Sequence, residues 1–268
     1  MKSPLARSIC DAILTSQFGR PNARMILNER ISRILAWGIV LVLAPFVMPE
    51  RPVAKGYWVW HGGFSEAAMR AETLYIHQGN FDVFDTRGVY QFQGPVPQAI
   101  PGHNHPVILT YRLERQVAPG MVVARYRAHS HAWERRGVKV GGIQIDYDSP
   151  TARLPKYARW LGELKTVFGG NIALSVTGLG DWLMSGQYKD LSAISDQVEF
   201  IAFMMYWDNR PLPGLENYTD RLAKLSLPFY LGRLSNQNPT VLFDRVRAAP
   251  GYQGDIVFPY RLYRKANK

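Results

Sequence analysis

From residue 56 onward the chain alternates short apolar runs with stretches of helical periodicity, the order expected of a parallel α/β fold. The apolar runs predict strands at Tyr57–Trp60, Thr73–His77, Val107–Tyr111, Gly142–Tyr147, Ile172–Thr177, Val198–Tyr206, Phe229–Gly232 and Ile256–Tyr260. Helical spacing predicts Ser65–Ala71, Gly120–Arg136, Thr151–Phe168, Tyr188–Ser195, Tyr218–Leu225 and Thr240–Ala248. Eight such strands suit a (β/α)8 TIM-type barrel occupying residues 57–268. The second βα unit breaks the pattern. There Phe81–Asp85 and Val89–Phe92, separated by Thr86-Arg87-Gly88, read as a β-hairpin, and a loop with Pro95, Pro97, Pro101 and Pro106 follows.

The run Gly141-Gly142-Ile143-Gln144-Ile145-Asp146-Tyr147-Asp148-Ser149-Pro150 carries the clearest chemical signal. Strand side chains alternate, so Gly142, Gln144, Asp146 and Asp148 share one face while Ile143, Ile145 and Tyr147 share the other. In a barrel the apolar face meets helices, and functional groups gather at the C-terminal mouth. Two aspartates at i and i+2 stand about 6–7 Å apart at Cα, close enough for like charge and burial to raise one pKa. Asp148 is then a candidate general acid and Asp146 its ionised partner. The competing reading gives both to capping of the following helix, since Asp148-Ser149-Pro150-Thr151 also looks like a helix start.

This strand resembles the signature of family 18 glycoside hydrolases, the chitinase group, which reads Asp-Gly-x-Asp-x-Asp-x-Glu. Gly142 matches its glycine, Gln144 its middle aspartate, Asp146 the next aspartate and Asp148 the catalytic glutamate, so two acidic identities are changed. Phe203-Met204-Met205-Tyr206-Trp207-Asp208 is similar to the family's Met-x-Tyr-Asp element, with Asp208 displaced by one. The resemblance implies a saccharide substrate, Tyr206 as a substrate-orienting hydroxyl, and the substrate's own acetamido group as nucleophile, an exception to the two-carboxylate scheme. Asp208 or Asp181 could otherwise serve as base. A closer likeness is to an uncharacterised bacterial family with a Gly-x-Gln-x-Asp-x-Asp strand followed by Leu-Ser-x-Thr-x-Leu-x-x-Trp, here Leu174 to Trp182. Asp is one methylene shorter than Glu, about 1.5 Å, and errors near 1 Å can cost about 10²-fold in rate. The substitution therefore leaves two function classes open, a polysaccharide hydrolase and a non-catalytic glycan-binding or structural barrel of the cell envelope.

Aromatic residues fall near the same predicted mouth: Trp58 or Trp60, Tyr111, Trp182, Tyr206, Trp207 and Tyr260. Aromatic planes suit the apolar faces of sugar rings, and Trp182 and Trp207 lie beside aspartates at strand ends. His61 and His77 end the first two strands and are candidates for ligand hydrogen bonds. Arg112 and Arg233 also end strands and are candidates for a ligand carboxylate or sulfate. His103/His105 and His129/His131 have spacings that do not favour a metal site. No P-loop, dinucleotide fingerprint or Gly-x-Ser-x-Gly elbow occurs, and no cofactor is expected.

Charge and cysteine usage complete the picture. Net charge is +11, and residues 1–56 hold eight Lys/Arg against three acidic residues. No basic stripe interleaved with aromatics points to nucleic acid. The single cysteine, Cys10, excludes an internal disulfide. Residues 1–33 form a basic segment, and Ile34–Met48 is an uncharged apolar run expected to be helical. It is followed by a breaker-rich linker at 49–56. That arrangement predicts a signal peptide or membrane anchor, with the barrel exported, periplasmic or tethered facing the periplasm. A buried helix of a cytosolic protein is the alternative.

Overall fold

A computed structural model of the chain describes residues 54–60, 63–81, 90–237 and 241–260, without the side chains of 241–243. The expected anchor at 34–48 and the basic segment before it lie outside these residues, as does His61. The described unit falls within Pro52–Lys268. Among the described residues no helix is long and apolar enough to cross a membrane.

Eight parallel strands close into a barrel: β1 (Gly56–Val59), β2 (Thr73–Phe81), β4 (Val107–Leu113), β5 (Val140–Tyr147), β6 (Leu174–Leu179), β7 (Phe200–Met204), β10 (Phe229–Leu234) and β11 (Tyr252–Phe258). Closure is made by β1, which pairs with both β11 and β2. The intervening helices are α1 (Glu66–Met69), α2 (Pro119–Glu134), α3 (Leu154–Phe168), α4 (Gly180–Ser185), α5 (Tyr188–Ser195), α6 (Leu215–Leu222) and α7 (Val241–Arg247). This is the (β/α)8 barrel that the alternating pattern predicts. The irregular second unit is also present. Strand β3 (Tyr90–Phe92) runs antiparallel to the end of β2, and no helix lies between β2 and β4 among the described residues.

Period-two alternation builds two separate cores. Outward side chains such as Leu109, Ile143, Ile145, Val176, Ile201 and Leu231 are fully buried against the helices. Helix α3 answers them with Leu154, Tyr157, Ala158, Leu161 and Leu164, a stripe at three- and four-residue spacing. Gly169, left-handed at φ 88°, ends that helix. Inward side chains form a smaller cluster of Trp58, Tyr75, Ala202 and Ile256, with Ile108, Phe200, Tyr230 and Phe258 around it. The barrel is thus plugged by aromatic rings, with Tyr230 and Phe200 at 4.5 Å between centroids. Gly142 is dictated by close approach of β5 to the segment before β6. A Cβ there would stand 2.4 Å from the Ala173 carbonyl oxygen. Above this plug the inward positions turn polar: Thr110 and Arg112 on β4, Gln144 and Asp146 on β5, Ser175 and Thr177 on β6.

Candidate functional site

The polar layer opens into a cavity of about 150 Å³ at the C-terminal mouth, lined by residues that include Trp60, Arg112, Asp146, Thr177, Tyr206 and Phe258. Its floor is set by Trp58. The Trp58 indole donates to Gln144 Oε1 at 2.6 Å, and the Thr110 hydroxyl adds a longer bond to the same oxygen at 3.4 Å. An indole N–H can only donate, which fixes the orientation of the Gln144 amide. Gln144 Nε2 is left buried without a partner among the described residues.

Asp146 is nearly sealed, at 4 % exposed. Its Oδ1 accepts from the Thr177 hydroxyl at 2.7 Å and its Oδ2 from Arg112 Nη1 at 3.0 Å. The same guanidinium donates through Nη2 to Asp148 Oδ2 at 2.7 Å and through Nε to Glu114 Oε1 at 3.1 Å. Burial raises the Asp146 pKa above the ordinary carboxylate range. Arg112 opposes that shift, Asp148 adds to it, and the Thr177 bond opposes it again. Burial works against the charge of Arg112, but Asp146 and Asp148 more than offset it and its pKa lies above the ordinary value. Asp148, its side chain 44 % exposed, sits at the rim.

Capping does not account for the aspartates. Neither the 3-10 turn Thr151–Arg153 nor α3 has a side-chain cap. The pair instead shares one arginine.

An aromatic wall faces this cluster. The Tyr206 ring, on the short strand β8 (Tyr206–Trp207), stacks on Phe258 at 5.4 Å and 27°. Phe258 in turn meets Trp60 edge-on at 5.8 Å. Burial pushes the Tyr206 hydroxyl well above its usual pKa, Asp146 and Asp148 push it further, and Arg112 pulls the other way. His77 is buried behind the wall and stacks on Trp60 at 3.9 Å and 8°, so it backs a cavity residue. Trp207 is 76 % exposed. It stands at the base of a two-residue hairpin with β9 (Arg210–Pro211), and Asp208 occupies the left-handed turn at φ 44°. Asp is among the residues that tolerate that conformation.

Three sequence expectations are corrected. Trp182 has no exposed surface: β6 runs directly into α4, which carries the indole inward to donate to the Ser149 carbonyl at 2.8 Å and pack edge-on against Tyr157. Arg233 faces away from the cavity. On β10 the neighbouring Gly232 points inward toward Trp58, so alternation sends Arg233 to the outer face. There its Nε donates to Asp255 Oδ2 at 2.9 Å. Tyr111 likewise faces outward and bonds His129 Nδ1 at 2.8 Å. Asp181 lies exposed in the first turn of α4. Thr110, Thr177 and Phe258 were not singled out from sequence, although each lies in the inward column of its strand. Among the described residues no group of three or more His, Cys, Asp or Glu is placed to hold a metal ion.

The family model of a domain of unknown function, DUF3142, matches residues 103–217, a stretch that holds β4 through β9 and thus both aspartates and Tyr206. No curated protein matches the chain. Among solved structures it is similar to a xylanase and alpha-amylase inhibitor protein from Scadoxus multiflorus (TM-score 0.51, 11% identity, 75% of this chain and 92% of that one). It is also similar to a xylanase-alpha-amylase inhibitor protein in complex with trehalose (TM-score 0.50, 11% identity, 76% and 93%). A chitinase domain of the spore coat protein CotE from Clostridium difficile aligns with TM-score 0.37 at 13% identity over 80% of this chain and 67% of that one. At these identities the likeness is one of fold alone, and it agrees with the (β/α)8 barrel.

Proposed function

We propose that the protein is a saccharide-binding barrel that retains the cleft of a glycosidase fold without its hydrolytic chemistry. One observation carries this reading: Arg112 donates to both Asp146 and Asp148. A general acid must present a proton to the glycosidic oxygen. Here Asp148 instead accepts a charge-assisted bond from a group that only donates. Asp146, which would steady the charge, is held by the same guanidinium. Both carboxylates are bonded to the one guanidinium, Asp148 through Oδ2 alone, and the acid is also one bond shorter than the glutamate it replaces.

What remains suits binding. Trp60, Tyr206 and Phe258 provide apolar planes, and the polar edge of Arg112, Asp148 and Thr177 provides hydrogen-bonding groups for hydroxyls. A similar barrel is an inhibitor protein crystallised with trehalose, which agrees with sugar binding on this fold. The apolar run at 34–48 accords with a protein delivered to the cell envelope, where polysaccharide is the abundant partner.

The test is calorimetric binding to a panel of oligosaccharides together with assays for new reducing ends, on wild type, Asp148→Ala and Asp146→Asn. Binding without turnover in all three is expected. Turnover by the wild type that disappears in Asp148→Ala overturns the reading in favour of a hydrolase.

A further inference from the structure

In a chain of net charge +11, the rim of the cavity gathers carboxylates around one guanidinium. Among the described residues, Arg112 is the only basic one lining the cavity. It is bonded to three carboxylates, those of Asp146, Asp148 and Glu114, so its charge cannot neutralise them all. Asp148 Oδ1 accepts no bond from the described residues, and its side chain stands 44 % open at the rim. The rim therefore asks for a cation, and the aromatic wall of Trp60, Tyr206 and Phe258 asks for a ring beside it.

We propose that the saccharide recognised here carries free amines: a deacetylated hexosamine unit of a polysaccharide, its ammonium on Asp148 and its ring against Tyr206 and Trp60. This rests on the saccharide-binding reading of the cleft. A uronate or sulfated sugar meets the carboxylates of Asp148 and Glu114, which already share the charge of the one guanidinium. An N-acetylated hexosamine offers a single uncharged N–H where an ammonium offers three donors and a charge. A charge pair near 4 Å at a partly exposed rim is worth roughly a tenfold affinity difference at low salt, and salt diminishes it.

The experiment uses the full chain and isothermal titration with four probes: a glucosamine tetramer, its N-acetylated counterpart, a galacturonic acid tetramer and a lysine tetrapeptide. It is run below the pKa of the sugar amine, at low and at high salt. The glucosamine tetramer is expected to bind about tenfold tighter than the acetylated one, with the galacturonate weakest. Asp148→Asn and Glu114→Gln should each narrow the gap while circular dichroism stays unchanged; Glu114 serves as the second variant because it is a rim residue outside the barrel interior. Equal or tighter binding of the acetylated tetramer overturns the amine inference and leaves saccharide binding standing. A lysine peptide that binds as tightly as the amino sugar overturns it too. No binding of any saccharide removes both.

Discussion

Arg112 on β4 and Asp146 on β5 are register partners across adjacent parallel strands, joined from Nη1 to Oδ2 at 3.0 Å. The contact joins fold and site. It spans the barrel wall at the mouth and decides what Asp146 and Asp148 can do chemically. Replacing Arg112 with Met keeps the length of the stem but strands Asp146 beside a rim carboxylate. Breaking a buried pair by removing one partner costs about 3–5 kcal/mol. Because the Arg112 side chain is 28 % exposed, water will temper that loss to roughly 2–3 kcal/mol. Urea unfolding at neutral pH measures it. Adding Asp146→Asn to Arg112→Met should return part of the loss; an Arg112→Met protein as stable as wild type contradicts the account.

Asp146 also gives a pH signature of definite sign. Its folded pKa is raised, chiefly by burial. The folded state therefore holds the proton to higher pH than the unfolded chain does. The associated stability is complete below the ordinary carboxylate value, about 4, and is lost as pH rises through the raised value. Thermal melts of wild type and Asp146→Asn at steps from pH 4 to 7 should show wild type losing ground to the variant as pH increases. A constant difference would falsify this.

The inward polar column of β5 was legible because alternation alone assigns faces, and the fully buried Ile143 and Ile145 sit opposite Gln144 and Asp146 as that rule requires. The same rule read back from Tyr230 and Gly232 would have turned Arg233 outward. Arg112 was legible as a strand end, but its partners were not: periodicity within a strand carries no information on the register of a neighbour 34 residues away. Trp182 was misplaced because α4 has only six residues, too short for a periodic pattern, so the segment reads as loop. The antiparallel return of β3 onto the end of β2 was legible as a hairpin, whose expected turn at 86–88 lies outside the described residues, and the contacts that fix β3 were not.

Those contacts centre on His129 of α2. Its Nδ1 meets the Tyr111 hydroxyl at 2.8 Å, and its ring lies 5.6 Å from Tyr90 on β3. Burial first, and Arg125 second, lower its pKa to about 4. The unfolded imidazole takes a proton near 6.5, the folded one only near 4, so the stability from keeping it neutral is full above 6.5 and is lost as pH falls toward 4. His129→Gln retains polar groups for Tyr111 and cannot charge. Its stability relative to wild type should improve steadily on acidification across that window, as read by chemical denaturation. If the two respond identically to acid, His129 does not hold β3 in the manner described.

Trp207 tests how far the binding surface extends beyond the cavity. At 76 % exposed it contributes little to folding, and surface changes of this kind stay within about 0.5 kcal/mol. Its position is nevertheless fixed, since it pairs with Arg210 across a hairpin whose turn holds Asp208 and Asn209 in left-handed backbone. Such a turn matches the twist of two paired strands and stiffens the indole's mount. On the proposed saccharide-binding reading, a rigid aromatic plane next to the cleft, following Tyr206 in the chain, would meet a second sugar ring when the first occupies the cavity. Trp207→Ala should therefore leave the melting temperature unchanged and monosaccharide binding intact. It should weaken an oligosaccharide of four units by about five- to tenfold, the worth of one aromatic contact of roughly 1 kcal/mol. Equal affinities of variant and wild type for the long ligand would confine recognition to the Tyr206–Phe258 wall and leave Trp207 without a part in it.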